Sequence, residues 1–139
     1  MKDMSRIVRV RKIWEKQARA QLGQANGELS KAQAAVEEAS EAHRDAIAPV
    51  ETPSTGLDDL TIRRIAGMAT HERYTVAEVV RRQADHRVRA SNGNWRRSAQ
   101  EMQVAEKLED RRRQALAYLA RRSAEATLDE LMVMRRKQS

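Results

Sequence analysis

Few side chains in this sequence could do acid–base or metal chemistry, and they do not combine into a motif. The three histidines, His43, His71 and His86, have no pair at the i,i+4 spacing that places two imidazoles on one metal ion. The absence of cysteine excludes thiolate ligands and cysteine nucleophiles. Asp58 and Asp59 are adjacent carboxylates, but the start of a helix explains them, because acidic side chains there offset the helix dipole. We therefore expect no enzymatic activity, no metal site and no cofactor.

Positive charge is the most distinctive chemical feature, and it is concentrated near both termini. The chain has 27 basic and 20 acidic residues, which gives a net charge of +7. Seven basic residues against two acidic ones give residues 1–19 a charge of +5, and five against three give residues 121–139 a charge of +2. Residues 20–120 are therefore neutral overall.

Three functions are compatible with such charged ends. They could be solvated ends that keep a coiled coil in solution, a surface for nucleic acid, or a surface for a protein socket lined with carboxylates. The mixture of charges, the aromatic content of 3% and the lack of a base-reading motif argue against nucleic acid. Composition alone does not separate the other two.

Long helices must position these charges. Charged residues make up 34% of the chain, Phe is absent, and there are only five glycines and two prolines. This composition is typical of long helices or coiled coils, which bury a seam rather than a broad core. Apolar or small residues recur at alternating steps of three and four from Leu22 to Val50. The heptad spacing predicts one helix from about residue 5 to residue 48.

The two prolines separate this helix from the rest of the chain. Pro49 and Pro53 predict a loop over residues 49–56, because proline cannot donate a helical hydrogen bond and restricts the residue before it. A short helix over about 57–68 is predicted to follow.

A second long helix is predicted over about 71–136, with a weak point at 91–94, where the sequence reads SNGN. No run of 18 or more apolar residues and no signal-peptide pattern occurs in the sequence. We therefore expect no direct insertion into a membrane.

Equal lengths predict how the helices pair. The segments 5–48 and 95–136 match in length, and apolar residues face each other when their numbers sum to about 141, as Trp14 and Leu128 nearly do. The predicted fold class is all-α: a long antiparallel two-helix coiled-coil hairpin with a short helix in the distal elbow. It forms a single domain over residues 1–139, and both basic ends lie at one tip.

Three segments of the sequence carry a family resemblance. They are RIVRVRKIWEKQARAQLGQANGELSKAQAAVEEA near the start, NWRRSAQEMQVAEKLEDRRR after the Pro/Gly break, and ATLDELMVMRR near the end. In this order and at this length they resemble the flagellar type III export stalk proteins. This FliJ-type family is related to the YscO-type stalk proteins of injectisomes.

The resemblance implies a cytoplasmic antiparallel coiled coil, similar to the stalk subunit of rotary ATP synthases and peripheral at the cytoplasmic face of the export apparatus. It implies three partners: the hexameric export ATPase, the membrane export gate protein and the substrate chaperones. The terminal tip would insert into the central hole of the ATPase and promote its ring formation and turnover.

The resemblance also implies roles for residues of this chain. The basic side chains that would face ATPase carboxylates are Arg6, Arg9, Arg11, Lys12, Arg135, Arg136 and Lys137. The apolar side chains that would keep the tip rigid are Ile7, Val10, Leu131 and Met134. The contact with the gate or chaperones would come from Tyr74, Val76, Val79 and Val80. The alternatives are a scaffold coiled coil that associates with itself and, less favoured, a basic coiled coil that binds nucleic acid.

Overall fold

Two long α-helices make up the fold. The computed structural model describes residues 4–49 and 56–138, and no strand occurs in this part of the chain. Helix α1 spans Met4–Ile47 and helix α2 spans Leu57–Gln138, and the two pack against each other. The predicted all-α class is confirmed. Within the described residues, neither helix has a stretch long and apolar enough to cross a membrane.

The predicted loop over 49–56 is described only at its two ends, because residues 50–55 lie outside the described part of the chain. At the start of α2, the backbone nitrogens of Asp59 and Leu60 donate to the carbonyl of Gly56 at 3.1 and 3.3 Å. These two bonds satisfy amide groups that have no partner within the first turn of a helix.

Helix α2 is continuous where the sequence predicted two helices, over about 57–68 and about 71–136. Gly67 does not adopt a positive φ, and the hydroxyl of Thr70 donates to the carbonyl of Ala66 at 2.8 Å. A threonine bonded to the carbonyl one turn earlier is compatible with an uninterrupted helix. The separate elbow helix is therefore not observed in the described residues.

The predicted weak point at 91–94 also lies within α2. Gly93 is helical without a positive φ, and Ser91 and Asn92 are half-buried. A glycine in a helix interior costs about 1 kcal/mol relative to alanine, which α2 tolerates without breaking.

The described residues form two compact units. One contains residues 17–96, and the other contains residues up to 16 together with those from 97 onward. In the 17–96 unit, the most buried side chains are all small: Ala18, Ala25, Ala32 and Ala84. A seam of alanines brings two helices close together but removes little apolar area from water per residue.

Side-chain contacts in the 17–96 unit give a register that differs from the predicted one. Arg87 Nη1 donates to Glu28 Oε2 at 3.4 Å, and His43 Nδ1 lies 3.0 Å from Thr70 Oγ1. The numbers in these pairs sum to 115 and 113 rather than 141. The prediction of the register is wrong because no elbow intervenes, so α2 returns along α1 directly after the loop.

The other unit has the same shift. Arg11 Nη1 donates to Glu101 Oε2, and Lys12 Nζ lies 3.8 Å from Glu106 Oε1. These pairs sum to 112 and 118, again well below 141. The first turns of α1 therefore pack near the middle of α2 and not near its end.

Candidate partner-binding surfaces

The C-terminal part of α2 is exposed on all sides. Every described residue from Arg113 to Gln138 is exposed, whereas Ala105 and Glu109 shortly before it are only 5% and 6% exposed. We call residues 113–138 the uncovered segment. A single helix is marginally stable in water unless something packs on its apolar side, so this segment is suited to gain a partner.

The apolar side of the uncovered segment continues the side of α2 that α1 covers. Ser98, Met102, Ala105 and Glu109 follow steps of three and four residues and are half-buried or buried. Residues spaced by an average of 3.6 positions lie on one face of a helix. The same spacing continues past Arg112 into the uncovered segment. The residues reached there, which we call the uncovered stripe, are Leu116, Ala120, Ser123, Thr127, Leu131 and Met134.

The predicted packing of Ile7 and Val10 against Leu131 and Met134 is not observed. Ile7 lines a shallow groove with Leu108, while Leu131 and Met134 are 55% and 63% exposed. Leu108 and Met134 are 26 residues apart, which is about 39 Å along a helix. The basic residues at the start of α1 and those at the end of α2 therefore do not lie side by side at one tip.

Arg11 and Lys12, which are predicted ATPase-contact residues near the start of α1, have partners inside the protein. Arg11 is bonded to Glu101, and its guanidinium carbon lies 4.9 Å from the ring centroid of Trp14. Lys12 lies near Glu106. Both contacts help to hold α1 against α2. Arg6 and Arg9 are exposed at the same end of α1.

The other predicted ATPase-contact residues lie together. Arg135, Arg136 and Lys137 occupy the last turn of α2 and are exposed. Cations at this position stabilise the helix end, because the helix dipole is negative there. They lie directly after Leu131 and Met134 in the chain, so one segment carries both positive charge and an apolar stripe.

Sequence reasoning missed two buried glutamates, Glu15 and Glu109, which are 4% and 6% exposed. The carboxylate of Glu109 accepts from Arg112 Nη1 at 3.4 Å and Arg113 Nε at 3.2 Å, both on its own helix. A buried carboxylate needs such partners to offset its loss of hydration. Glu109 falls at a position where the spacing of three and four residues predicts an apolar side chain. A charged residue at such a position could have identified it from the sequence.

The predicted gate-contact residues divide between two sides of α2. Tyr74 is half-buried one turn after Thr70, which contacts α1. Val76, Val79 and Val80 are 58%, 50% and 48% exposed. The three valines form part of a surface, and Tyr74 belongs with the packed side of the helix.

Folding also brings together two histidines that are far apart in the sequence. The rings of His43 and His71 have centroids 5.4 Å apart and are tilted by 52°. Among the described residues, no group of three or more His, Cys, Asp or Glu side chains is placed to hold a metal ion. The ring contact joins α1 to α2.

These features define an all-helical protein of two long helices, whose longer helix presents exposed apolar faces suited to other helices or proteins. No family model, curated protein or solved structure matches the chain. Its function is therefore inferred from these surfaces and from the resemblance of its sequence segments.

Proposed function

We propose that the protein is a non-enzymatic stalk and escort component of a type III export apparatus of the flagellar kind. Its two helices form an antiparallel coiled-coil hairpin, and it works in the cytoplasm, peripheral to the export apparatus. The uncovered segment inserts into the hexameric export ATPase. The observation that carries the proposal is the uncovered stripe, which is in phase with the α1-facing side of α2, is exposed throughout, and carries Leu116, Leu131 and Met134 among smaller side chains.

Apolar burial supplies the affinity in this proposal. Full burial of a Leu or Met side chain contributes about 1.5–3 kcal/mol. A partner that covers Leu116, Leu131 and Met134 gains burial free energy from each of the three side chains. The cost of association and of ordering side chains offsets part of this gain. The segment is already helical in the unbound protein, so less ordering remains to be done on binding.

Positive charge orients the uncovered segment toward its partner and speeds their association. Residues 113–138 contain six basic and three acidic residues, and three of the basic ones form the terminal cluster Arg135–Lys137. Such a segment is drawn toward a surface lined with carboxylates, with an association rate that falls as salt rises. In this proposal the cluster makes the leading contact, and Arg11 and Lys12 act by holding α1 in place.

A second contact is assigned to the 17–96 unit. Its exposed Val76, Val79 and Val80 suit a partner with an apolar surface. The family resemblance implies that this partner is the export gate protein or a substrate chaperone. One chain then carries separate surfaces for the ATPase and for a second component.

The test compares two sides of the same two turns of α2. In Leu131→Glu/Met134→Glu, charge replaces the apolar stripe. In the matched control Met132→Glu/Val133→Glu, two exposed residues off the stripe receive the same charge. We expect the wild-type chain to raise ATP hydrolysis by the purified export ATPase. The stripe variant should bind at least about 100-fold more weakly, because two buried side chains are lost.

The control variant should stay within a few-fold of wild type, and both variants should keep the helicity of the parent in circular dichroism. Equal loss in both variants means that net charge, and not the stripe, controls binding. No stimulation of hydrolysis by the wild-type chain at low salt contradicts the proposed function itself.

A further inference from the structure

A second exposed apolar face lies near the start of α2. Five residues at steps of three, four, seven and four share one side of the helix; we call Ile62, Ile65, Ala69, Val76 and Val80 the outer stripe. The four larger side chains are 48–64% exposed. Exposed apolar surface that is organised along one helical face is typical of an interaction site.

Helix α1 does not cover the outer stripe. The α1-facing side of this part of α2 is marked by Thr70, which contacts His43, and by Ala84, which is 5% exposed. At about 100° per residue, the outer stripe lies roughly a quarter to a third of a turn away from that side. This part of α2 therefore has two apolar sides, and only one of them has a partner in the described structure.

The charges beside the outer stripe indicate what binds there. Residues 57–83 begin with two acidic side chains, Asp58 and Asp59, and end with two basic ones, Arg81 and Arg82. Between them, Arg63 and Arg64 lie in the first half, and Glu72, Arg73 and Glu78 lie in the second half. When the segment is read backwards about residues 70–71, Asp59 meets Arg82 and Arg63 meets Glu78, while the other five charged residues meet uncharged ones.

We propose that the outer stripe binds a second copy of the chain, with α2 packed against α2 in antiparallel orientation across a twofold axis near residues 70–71. In a twofold interface the same surface is used by both copies and every contact occurs twice. The pairs Asp59–Arg82 and Arg63–Glu78 satisfy this condition, because each forms twice across the axis. A parallel pair would instead place each acidic residue opposite the same acidic residue of the second copy.

The apolar residues fix the register. Ile65 of one copy lies opposite Val76 of the other, and Ile62 lies opposite Val79 and Val80. Glu72 lies between Ala69 and Val76 on the same side of the helix and interrupts the outer stripe. In this register it lies opposite the small side chain of Ala69. In the same register Asp59 faces Arg82, and Arg63 faces Glu78.

Registers shifted by one heptad are less favourable, because each places a carboxylate opposite a valine, whereas the proposed register places Glu72 opposite the smaller Ala69. In one direction Val76 faces Glu72, and in the other direction Val76 faces Asp58. Either shift buries a carboxylate against a valine, which costs free energy because the carboxylate loses water without gaining a partner. In the proposed register, Ile62 and Ile65 lie opposite valines, and Asp59 and Arg63 lie opposite residues of the opposite charge.

Ion pairs within the chain leave room for this contact. Glu78 Oε2 accepts from Arg81 Nη2 of its own chain at 3.2 Å. A carboxylate has lone pairs for more than one guanidinium, so Arg63 of the second copy can bind the same group. The dimer should weaken as salt rises, since these pairs are near the surface.

The first test measures mass in solution by sedimentation equilibrium of the full chain at about 100 μM and low salt. The wild-type chain should sediment at twice the monomer mass. Ile65→Glu/Val76→Glu should sediment as a monomer with unchanged helicity, and the matched control Met132→Glu/Val133→Glu should stay dimeric. A monomeric wild-type chain, or dimers in all three proteins, overturns the proposal and leaves the outer stripe to a different partner.

The second test uses the absence of native cysteine to read the orientation. Two single variants are made, Ile65→Cys and Val76→Cys. Their mixture should form a disulfide-linked dimer on oxidation, because the proposed register brings these two positions together. Ile65→Cys alone should stay unlinked, because residue 65 of the two copies is separated by 11 residues, about 16 Å along the helix, and a disulfide requires Cα atoms within about 7 Å.

Linkage of Ile65→Cys with itself, or no linkage in the mixture, contradicts antiparallel pairing. This inference does not depend on the ATPase proposal. The outer stripe and the uncovered segment share no residue, so either of these two proposals can fail while the other holds. The outer stripe does contain Val76 and Val80, so a dimer covers the surface assigned above to the gate protein or a chaperone, and only one of these partners can occupy it at a time.

Discussion

At the scale of single residues, Glu109 marks where the covered part of α2 ends. It occupies a position on the α1-facing side, yet both of its partners, Arg112 and Arg113, are on its own helix. Arg112, one turn further on, is half-buried, and from Leu116 onward the residues of that side are exposed. A buried ion pair of this kind contributes little net stability, because loss of hydration offsets the attraction between the charges.

Replacement of Glu109 with leucine should therefore stabilise the protein. Glu109→Leu extends the apolar side and releases the two arginines to water, and we expect a gain of about 1 kcal/mol in the free energy of unfolding. Urea unfolding followed by circular dichroism measures it. The matched control Glu125→Leu changes an exposed glutamate and should have no effect. A loss of stability in Glu109→Leu alone would mean that its carboxylate has an essential partner on α1.

At the scale of elements, α2 is longer and more regular than its sequence suggests. The sequence analysis predicted a helix end near residue 68, but the helix continues, and the hydroxyls of Thr70 and Thr75 donate to carbonyls of the preceding turn, at 2.8 Å in each case. Glycines in the interiors of both helices are helical without a positive φ. The residues that weaken the helix therefore do not interrupt it.

Alanine in place of two of these glycines tests the continuity of the helices. A Cβ atom at Gly27 or Gly93 would meet nothing within 4 Å. Gly27→Ala and Gly93→Ala should each raise the free energy of unfolding by about 0.5–1 kcal/mol, because alanine has the higher helix propensity. Thermal unfolding of the two variants measures this. Destabilisation by Gly93→Ala, with a gain in Gly27→Ala, would place a genuine break at 91–94.

The sequence predicted the type of element better than the pairing of elements. Heptad spacing and Pro49 were sufficient to place α1 and its end, because helix propensity and proline act locally. The register was wrong because the seam consists largely of alanine, and small residues repeated every few positions fit at several offsets. The predicted tip depended on that register, so Ile7 and Val10 were assigned partners that the structure does not give them.

The exposed surfaces were predictable where they depend on the local sequence and not where they depend on how α1 pairs with α2. Leu131, Met134 and Arg135–Lys137 were identified from the sequence, and they lie together on one segment. The exposure of the entire segment from Arg113 onward was not predictable, because it depends on where α1 begins to cover α2. The outer stripe was overlooked except for its valines, since the expected elbow obscured a continuous helical face.

At the scale of the whole molecule, the described residues bury few large apolar side chains. Its most buried apolar residues are alanines, while leucines, valines and methionines dominate the exposed apolar surface of α2. Such a chain gains stability from its partners by mass action, in proportion to the logarithm of their concentration over the dissociation constant. Its function then lies in what covers this exposed surface.

Hydrogen exchange of residues 113–138, in the free chain and in the presence of the export ATPase, tests the central claim most directly. In the free chain we expect these amides to exchange much faster than those of the α1–α2 contact in the 17–96 unit, since an uncovered helix opens locally at little cost. With the ATPase present, their exchange should slow by at least about tenfold, and the 17–96 unit should change little. Slow exchange in the free chain, or no slowing with the ATPase, would contradict the assignment of this segment as the binding surface.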